Sequence, residues 1–338
     1  MTFRIFTCLS TALLCAAFLP AQTPNATAKG ASPAKTKAIP RAADGHPDLQ
    51  GIWTNATVTP MERPPQFAGK LNITDAEAAA YEKDQAQDLQ SEDGQSDGKI
   101  IRAAGSSGTG GYNVLFVDRG TEMIRVDGVK RSSLIIDPPD GRVPPITDEA
   151  RKRNASAMRN FNKYDDVKER PLSERCIIGF GSTAGPPMMP VLYNNTYQIV
   201  QTKDKIMILV EMVHDVRVIR MNGTHVPSNV RLLLGDSIGH WEGDTLVVDT
   251  TNFTNQTSFR GSSENLHVIE RFQRIGPDQI LYRATIDDPS TYTKQWTMEF
   301  PFRATAGPIY EYACHEGNYA MTDIMGGARK MESEQKQK

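Results

Sequence analysis

YNNTYQIVQTKDKIMILVEMVHDVRVIRMNGTHVPSNVRLLLGDSIGHWEGDTLVVDTTNF, residues 193–253, holds the densest run of β-branched side chains in the chain, cut by turn signals. From Ile206 the residues alternate. Ile206, Ile208, Val210 and Met212 fall on one face and Met207, Leu209, Glu211 and Val213 on the other, because strand side chains repeat every two residues. Both faces are largely apolar, which predicts a strand covered on both sides. The pattern predicts that this strand continues through His214, Asp215 and Arg217 to Met221, then turns as a hairpin at Asn222-Gly223. On that strand His214 shares a face with Met212, Val216 and Val218, an apolar setting that would keep it neutral as a base. A second hairpin is expected where His240-Trp241 and residues 246–250 flank Glu242-Gly243-Asp244. A helix is disfavoured, since β-branched residues lose rotamer freedom there and the period is near two.

Working outward, further strands are legible at 112–117, 121–126, 130–136, 197–201, 266–275, 279–287, 293–302 and 309–314. The clearest alternation places Trp296, Met298, Phe300 and Phe302 inward. Two helices are expected. One spans 74–90, with Thr74 and Glu77 spaced as a capping box, and the other spans 148–161. Residues 175–190 form a Gly/Pro-rich loop, 91–111 a polar glycine-rich loop, and 326–338 a frayed tail. The fold class is therefore mainly β: an antiparallel meander forming a barrel or strongly bent sheet, with two or three peripheral helices, in one domain over 46–325.

Over the 338 residues the formal net charge is -2 with no basic block, so nucleic-acid binding has no electrostatic footprint. Residues 1–21 have the charge, apolar length and cleavage edge of an export signal, and 22–45 read as a tether. The expected address is secreted or periplasmic, with no integral membrane segment after the signal. Losing the signal leaves Cys176 and Cys314, which in an oxidising compartment predicts a disulfide. The alternative is one buried and one reactive thiol.

Four of the six histidines stand beside acids in β segments: His214-Asp215, His240 near Glu242, His267 with Glu270, and His315-Glu316. A buried strand histidine needs a hydrogen-bond partner, and a neighbouring acid supplies one, so satisfied structural histidines are the plainer reading. The functional reading brings several to one barrel mouth, with His214, Asp215, His267 and His315 as acid–base residues. Arg217, Arg220, Arg260 and Arg271 are then available to hold an anionic group. Arg217, Trp241, Arg271 and Tyr312 are the expected ligand contacts. No cofactor is expected; the alternative is a divalent metal held by His and Glu, although no HExxH or His-x-His spacing is present.

Gly51-Ile52-Trp53 resembles the G-x-W signature near the start of lipocalin-like barrels. That resemblance covers three residues and implies an apolar cavity for a small hydrophobic ligand. Across PDLQGIWTN, YNNTYQIVQT, ILVEMVHDVRVI, GDSIGHWEGDTLVVDTTNF, FRGSSENLHVIERF and GPIYEYACHEGNYAM the chain is similar to a family of secreted proteins from soil and environmental bacteria. This similarity implies a secreted address and no catalytic residue. The expected function is acid–base chemistry on a small, partly apolar metabolite, as a hydratase, isomerase or hydrolase. The alternative is a carrier that binds such a molecule without turning it over.

Overall fold

A computed structural model describes residues 38–93, 117–161, 163–179, 182–256, 259–314, 316–317 and 319–336. The expected export signal, most of the 91–111 loop, most of the 112–117 strand and His315 lie outside them.

Alternation dictates a closed sheet. β1 (Gly51–Thr54) pairs with β6 (Thr196–Gln201), followed in order by β7 (Lys205–Val210), β8 (Val216–Met221), β9 (Asp236–Glu242) and β10 (Thr245–Thr251). β11 (His267–Gly276), β12 (Gln279–Asp287) and β13 (Trp296–Ala304) continue the sheet. β13 then pairs back onto β1 through Trp53 with Ala304 and Thr54 with Arg303, closing a nine-stranded barrel that leaves no open edge on that side. β5 (Ile135–Asp137) adds to β13, and β2 (Asn72–Ile73), β3 (Arg125–Val126) and β4 (Val129–Arg131) form a small separate sheet.

The barrel is mixed rather than a pure antiparallel meander. β8 and β9 run parallel, with Ile219 opposite Ser237 and Met221 opposite Gly239. Asn222-Gly223 therefore does not close a hairpin; it opens a crossover over residues 222–235. Nor is 206–221 a single strand. The chain breaks at a 3-10 turn, Met212–His214, where Val213 and His214 take the left-handed region at φ 58° and 47°. The buried Glu211 carboxylate pins this corner, accepting from the backbone N–H of Thr196 (3.3 Å) and of Tyr310 (2.9 Å). Residues 309–314, expected as a strand, carry none.

α1 (Asp75–Asp93) begins on the expected capping box: Glu77 N–H donates to Thr74 Oγ1 (3.2 Å) and Thr74 N–H to Glu77 Oε2 (2.8 Å). α2 (Asp148–Phe161) has the expected bounds. The expected tail is instead α3 (Ala320–Lys336), without a buried residue. No helix among the described residues is long and apolar enough to cross a membrane. The expected tether ends early, because Arg41 holds Asp244 through two hydrogen bonds of 2.9 and 2.7 Å.

Trp53, Tyr197, Phe272, Tyr282, Phe300 and Phe302 are fully buried and pack inside the barrel. Among them lies a charged pair, Arg217 and Glu270, joined by hydrogen bonds of 3.0 and 2.6 Å. Tyr282 donates its hydroxyl hydrogen to Glu270 (2.8 Å) and accepts from Met188 N–H (3.0 Å). The Gly/Pro-rich loop thus enters the barrel interior. Tyr197 Oη fixes it further by donating to Thr183 C=O at 3.0 Å. Cys176 and Cys314 form a disulfide, Cα–Cα 5.9 Å, that ties this loop to the chain after β13.

Candidate functional site: a cleft beside the loop that enters the barrel

Two clefts adjoin the loop. One, of about 280 Å³, is lined by residues that include Leu172, Ile178, Ala184, Leu233, Phe253 and Gln256. The other, of about 450 Å³, is lined by Met61, Met189, Pro190, Val191 and Arg260. Ser182 and Phe259 line both. The walls are mostly aliphatic or aromatic, with a few polar groups, which is the usual composition of a small-molecule site.

The backbone around the clefts is held in costly conformations. Ser182 (φ 62°) and Arg260 (φ 50°) are left-handed, a region that side chains with a Cβ enter at a cost of order 1–3 kcal/mol each. Their surroundings over-determine them. Ser182 Oγ donates to Pro187 C=O at 2.7 Å. The Arg260 turn is gripped by Ser262 Oγ on Phe259 C=O (2.6 Å) and by Arg153 of α2 on Gly261 C=O (3.0 Å). Phe259 in turn stacks on Trp296, ring centroids 6.0 Å apart.

Asp215 sits behind the wall of the smaller cleft. Gly179, a lining residue, donates its N–H to Asp215 Oδ2 at 3.0 Å. Burial pushes the Asp215 carboxyl above its ordinary range, against the Gly179 N–H and the His214 charge, which favour ionisation. Gly179 is required by close approach: a Cβ there would meet Thr183 Oγ1 at 2.4 Å and Met212 Cγ at 2.8 Å. His214, expected in an apolar setting, is exposed in its turn, and Val216 and Val218 beside it face outward and are exposed.

Among the described residues the remaining histidines lie outside the barrel wall. His267, at the start of β11, bonds through Nε2 to Asp249 Oδ2 at 2.9 Å. That contact raises the imidazole pKa and holds the Asp249 carboxyl below its usual range. Asp249 Oδ1 faces His225 Nε2 at 2.9 Å, and His225 Nδ1 faces Asp236 Oδ2 at 3.0 Å. Arg220 completes the chain with two contacts of 2.8 Å to Asp236. Burial works against the Asp236 charge, but the Val226 N–H, His225 and Arg220 outweigh it and lower its pKa. His225, which carries this network, sits in the crossover between two strands, where no alternation signals its role. The available clue was its lone place between Gly223 and Pro227, in a loop that must run back along the barrel.

Of the expected ligand contacts, Arg217 is buried on Glu270, and Arg271 pairs with Glu242 on the outer face. Trp241 stacks on His46 (4.6 Å, 3° between planes), and Tyr312 lies against Tyr193 at 6.4 Å. His214, Asp215, His267, Arg217, Trp241, Arg271 and Tyr312 therefore do not meet at one mouth. Asp215 alone among them adjoins the clefts. Among the described residues no group of three or more His, Cys, Asp or Glu side chains is arranged to hold a metal ion. Comparison of the chain with known protein families, curated proteins and solved structures gives no match in any of the three.

Proposed function

We propose that this protein binds a small, partly apolar molecule in the paired clefts around Ser182 and Phe259, as a binding or carrier protein of an exported, oxidising compartment. The observation that carries the reading is one cleft system with apolar walls, sharing two residues and framed by strained but firmly held backbone. The His267–Asp249 and His240–Glu242 pairs line neither cleft, which favours binding over catalysis by those imidazoles. The Cys176–Cys314 bridge is the feature that supports the compartment.

The test is fluorescence titration with N-phenyl-1-naphthylamine, a neutral apolar probe that brightens when removed from water. Saturable binding is expected in the wild type. It should fall at least about tenfold in Val191→Trp or Gln256→Trp, which fill the larger and smaller cleft respectively, with circular dichroism unchanged. Equal binding by all three proteins would remove the cleft from consideration.

One observation favours a catalytic reading as well. Asp215 is a carboxyl whose proton affinity is raised by burial, as a general acid requires, and its hydrogen-bond partner Gly179 lines the smaller cleft. A screen of small isomerisable or hydratable compounds would support it if turnover vanished in Asp215→Asn while probe binding persisted.

A further inference from the structure

Four arginines stand where an anion could be held, and the fold disposes of three. Arg217 is closed onto Glu270, Arg220 onto Asp236 and Arg271 onto Glu242. Each of these guanidinium groups meets a carboxylate within the protein, so its charge is answered before any ligand arrives.

Arg260 differs in every respect that matters for recognition. It is exposed, lines the larger cleft, and has no carboxylate partner among the described residues. No acidic side chain lines either cleft among the described residues, and Arg260 is the charged side chain that does. Its backbone is left-handed and fixed from three sides, by Ser262, by Arg153 and by Tyr292, whose hydroxyl lies 3.4 Å from both the Phe259 and Arg260 carbonyls. The backbone that carries this cation is already fixed beside an apolar wall, so the ordering cost on binding an anion falls on the arginine side chain alone. Met61, Met189, Val191 and Phe259 offer no polar competitor along that wall.

We infer that the ligand is an amphipathic organic anion. Its carboxylate, sulfonate or phosphate group is held by Arg260, and its apolar body lies along Met61, Met189, Val191 and Phe259. The Ser182 hydroxyl hydrogen is committed to Pro187, so that oxygen remains as an acceptor and adds no donor for the anionic head. The inference rests on the binding reading above and adds the charge of what is bound.

The test compares two probes with the same ring system: 1-anilinonaphthalene-8-sulfonate, which is anionic, and N-phenyl-1-naphthylamine, which lacks the sulfonate. In Arg260→Gln the sulfonate is expected to bind about tenfold more weakly than in the wild type, the size of one charge-assisted hydrogen bond, while the neutral probe stays within about twofold. Arg260→Lys, which keeps the charge, should recover most of the sulfonate affinity. The wild-type sulfonate affinity should also fall with added salt, and that of the neutral probe should not. Sulfonate binding unchanged in Arg260→Gln, or both probes weakened alike, overturns the anionic assignment and leaves the cleft standing as a neutral site. Absence of wild-type binding by either probe removes the cleft itself, and the assignment with it.

Discussion

Strands β8 to β11 carry two charge networks back to back across one wall, and the contrast between them is instructive. Inward, Arg217 meets Glu270 and lies 3.4 Å from Ser237, which bonds Thr250 at 2.9 Å. Outward, Arg220, Asp236, Asp249 and His267 from the same four strands link through His225 of the crossover. The pleat places neighbouring residues on opposite faces, so one stretch of sequence supplies both. The environments then separate their roles. In the lumen, burial works against the Arg217 charge and the Glu270 carboxylate more than compensates, raising its pKa. On the outer wall, water reaches His267 and Asp249, with about a third of each side chain exposed, and the same kind of contact is worth far less. The inner pair is an obligation of the fold. The outer chain is a clasp that holds the crossover down.

Breaking the inner pair should have the largest effect. Arg217→Met leaves Glu270 buried and unpaired, and is expected to cost about 3–5 kcal/mol in urea unfolding. Arg217→Met with Glu270→Leu should regain most of that loss, since an apolar pair leaves no charge stranded. A single variant as stable as the double would erase the distinction between the two networks.

The clasp should yield a smaller and more local change. His225→Ala is expected to cost about 1 kcal/mol and to speed amide exchange across 222–235, leaving β12 and β13 protected. Exchange that rises equally throughout the barrel would show the crossover to be part of the core.

Acidity sharpens the contrast further. The raised pKa of His267 contributes stability that is complete below its unfolded value of 6.5 and is lost as pH rises through the folded value. The lowered pKa of Asp249 contributes stability present above 3.8 and lost as pH falls through the folded value. The clasp is thus strongest between those two limits. His267→Gln should flatten the alkaline decline by about 2 °C or less in Tm.

The smallest effect is expected at Asp215, whose sign is opposite to that of Asp249. Its raised pKa means that the protonated carboxyl suits the fold, so stability is fully present below 3.8 and lost as pH rises through the folded value. Asp215→Asn keeps an acceptor for the Gly179 N–H without the charge. It should raise Tm by about a degree at neutral pH, with the gain vanishing in acid. A loss of stability at neutral pH would mean that the carboxylate is needed in its charged form.

Much of this architecture is local and therefore legible. Trp296, Met298, Phe300 and Phe302 point inward as their spacing requires, Thr74 and Glu77 cap α1, and Glu242-Gly243-Asp244 turns between β9 and β10. The site was less legible. Asp215 adjoins the clefts, but His214 and His267 do not join it there. Alternation reports which face a residue takes, and it says nothing about a 3-10 corner three residues long or a partner 24 positions away, as for His225 and Asp249.

By itself, the sequence determined the β class, the two-residue periodicity of each strand, the capped helix, and a pair of cysteines able to bridge; each depends on contacts within a few residues or on composition. Only the tertiary structure decided that β8 and β9 run parallel, that aromatic side chains and an ion pair lie in the lumen, and that the described histidines stand outside it. It also decided that three of four candidate arginines are neutralised and Arg260 is left at a cleft. Those outcomes depend on which strands close the barrel and where loops return. Such long-range pairings are chosen by the free energy of the whole packed chain, and no local period encodes them.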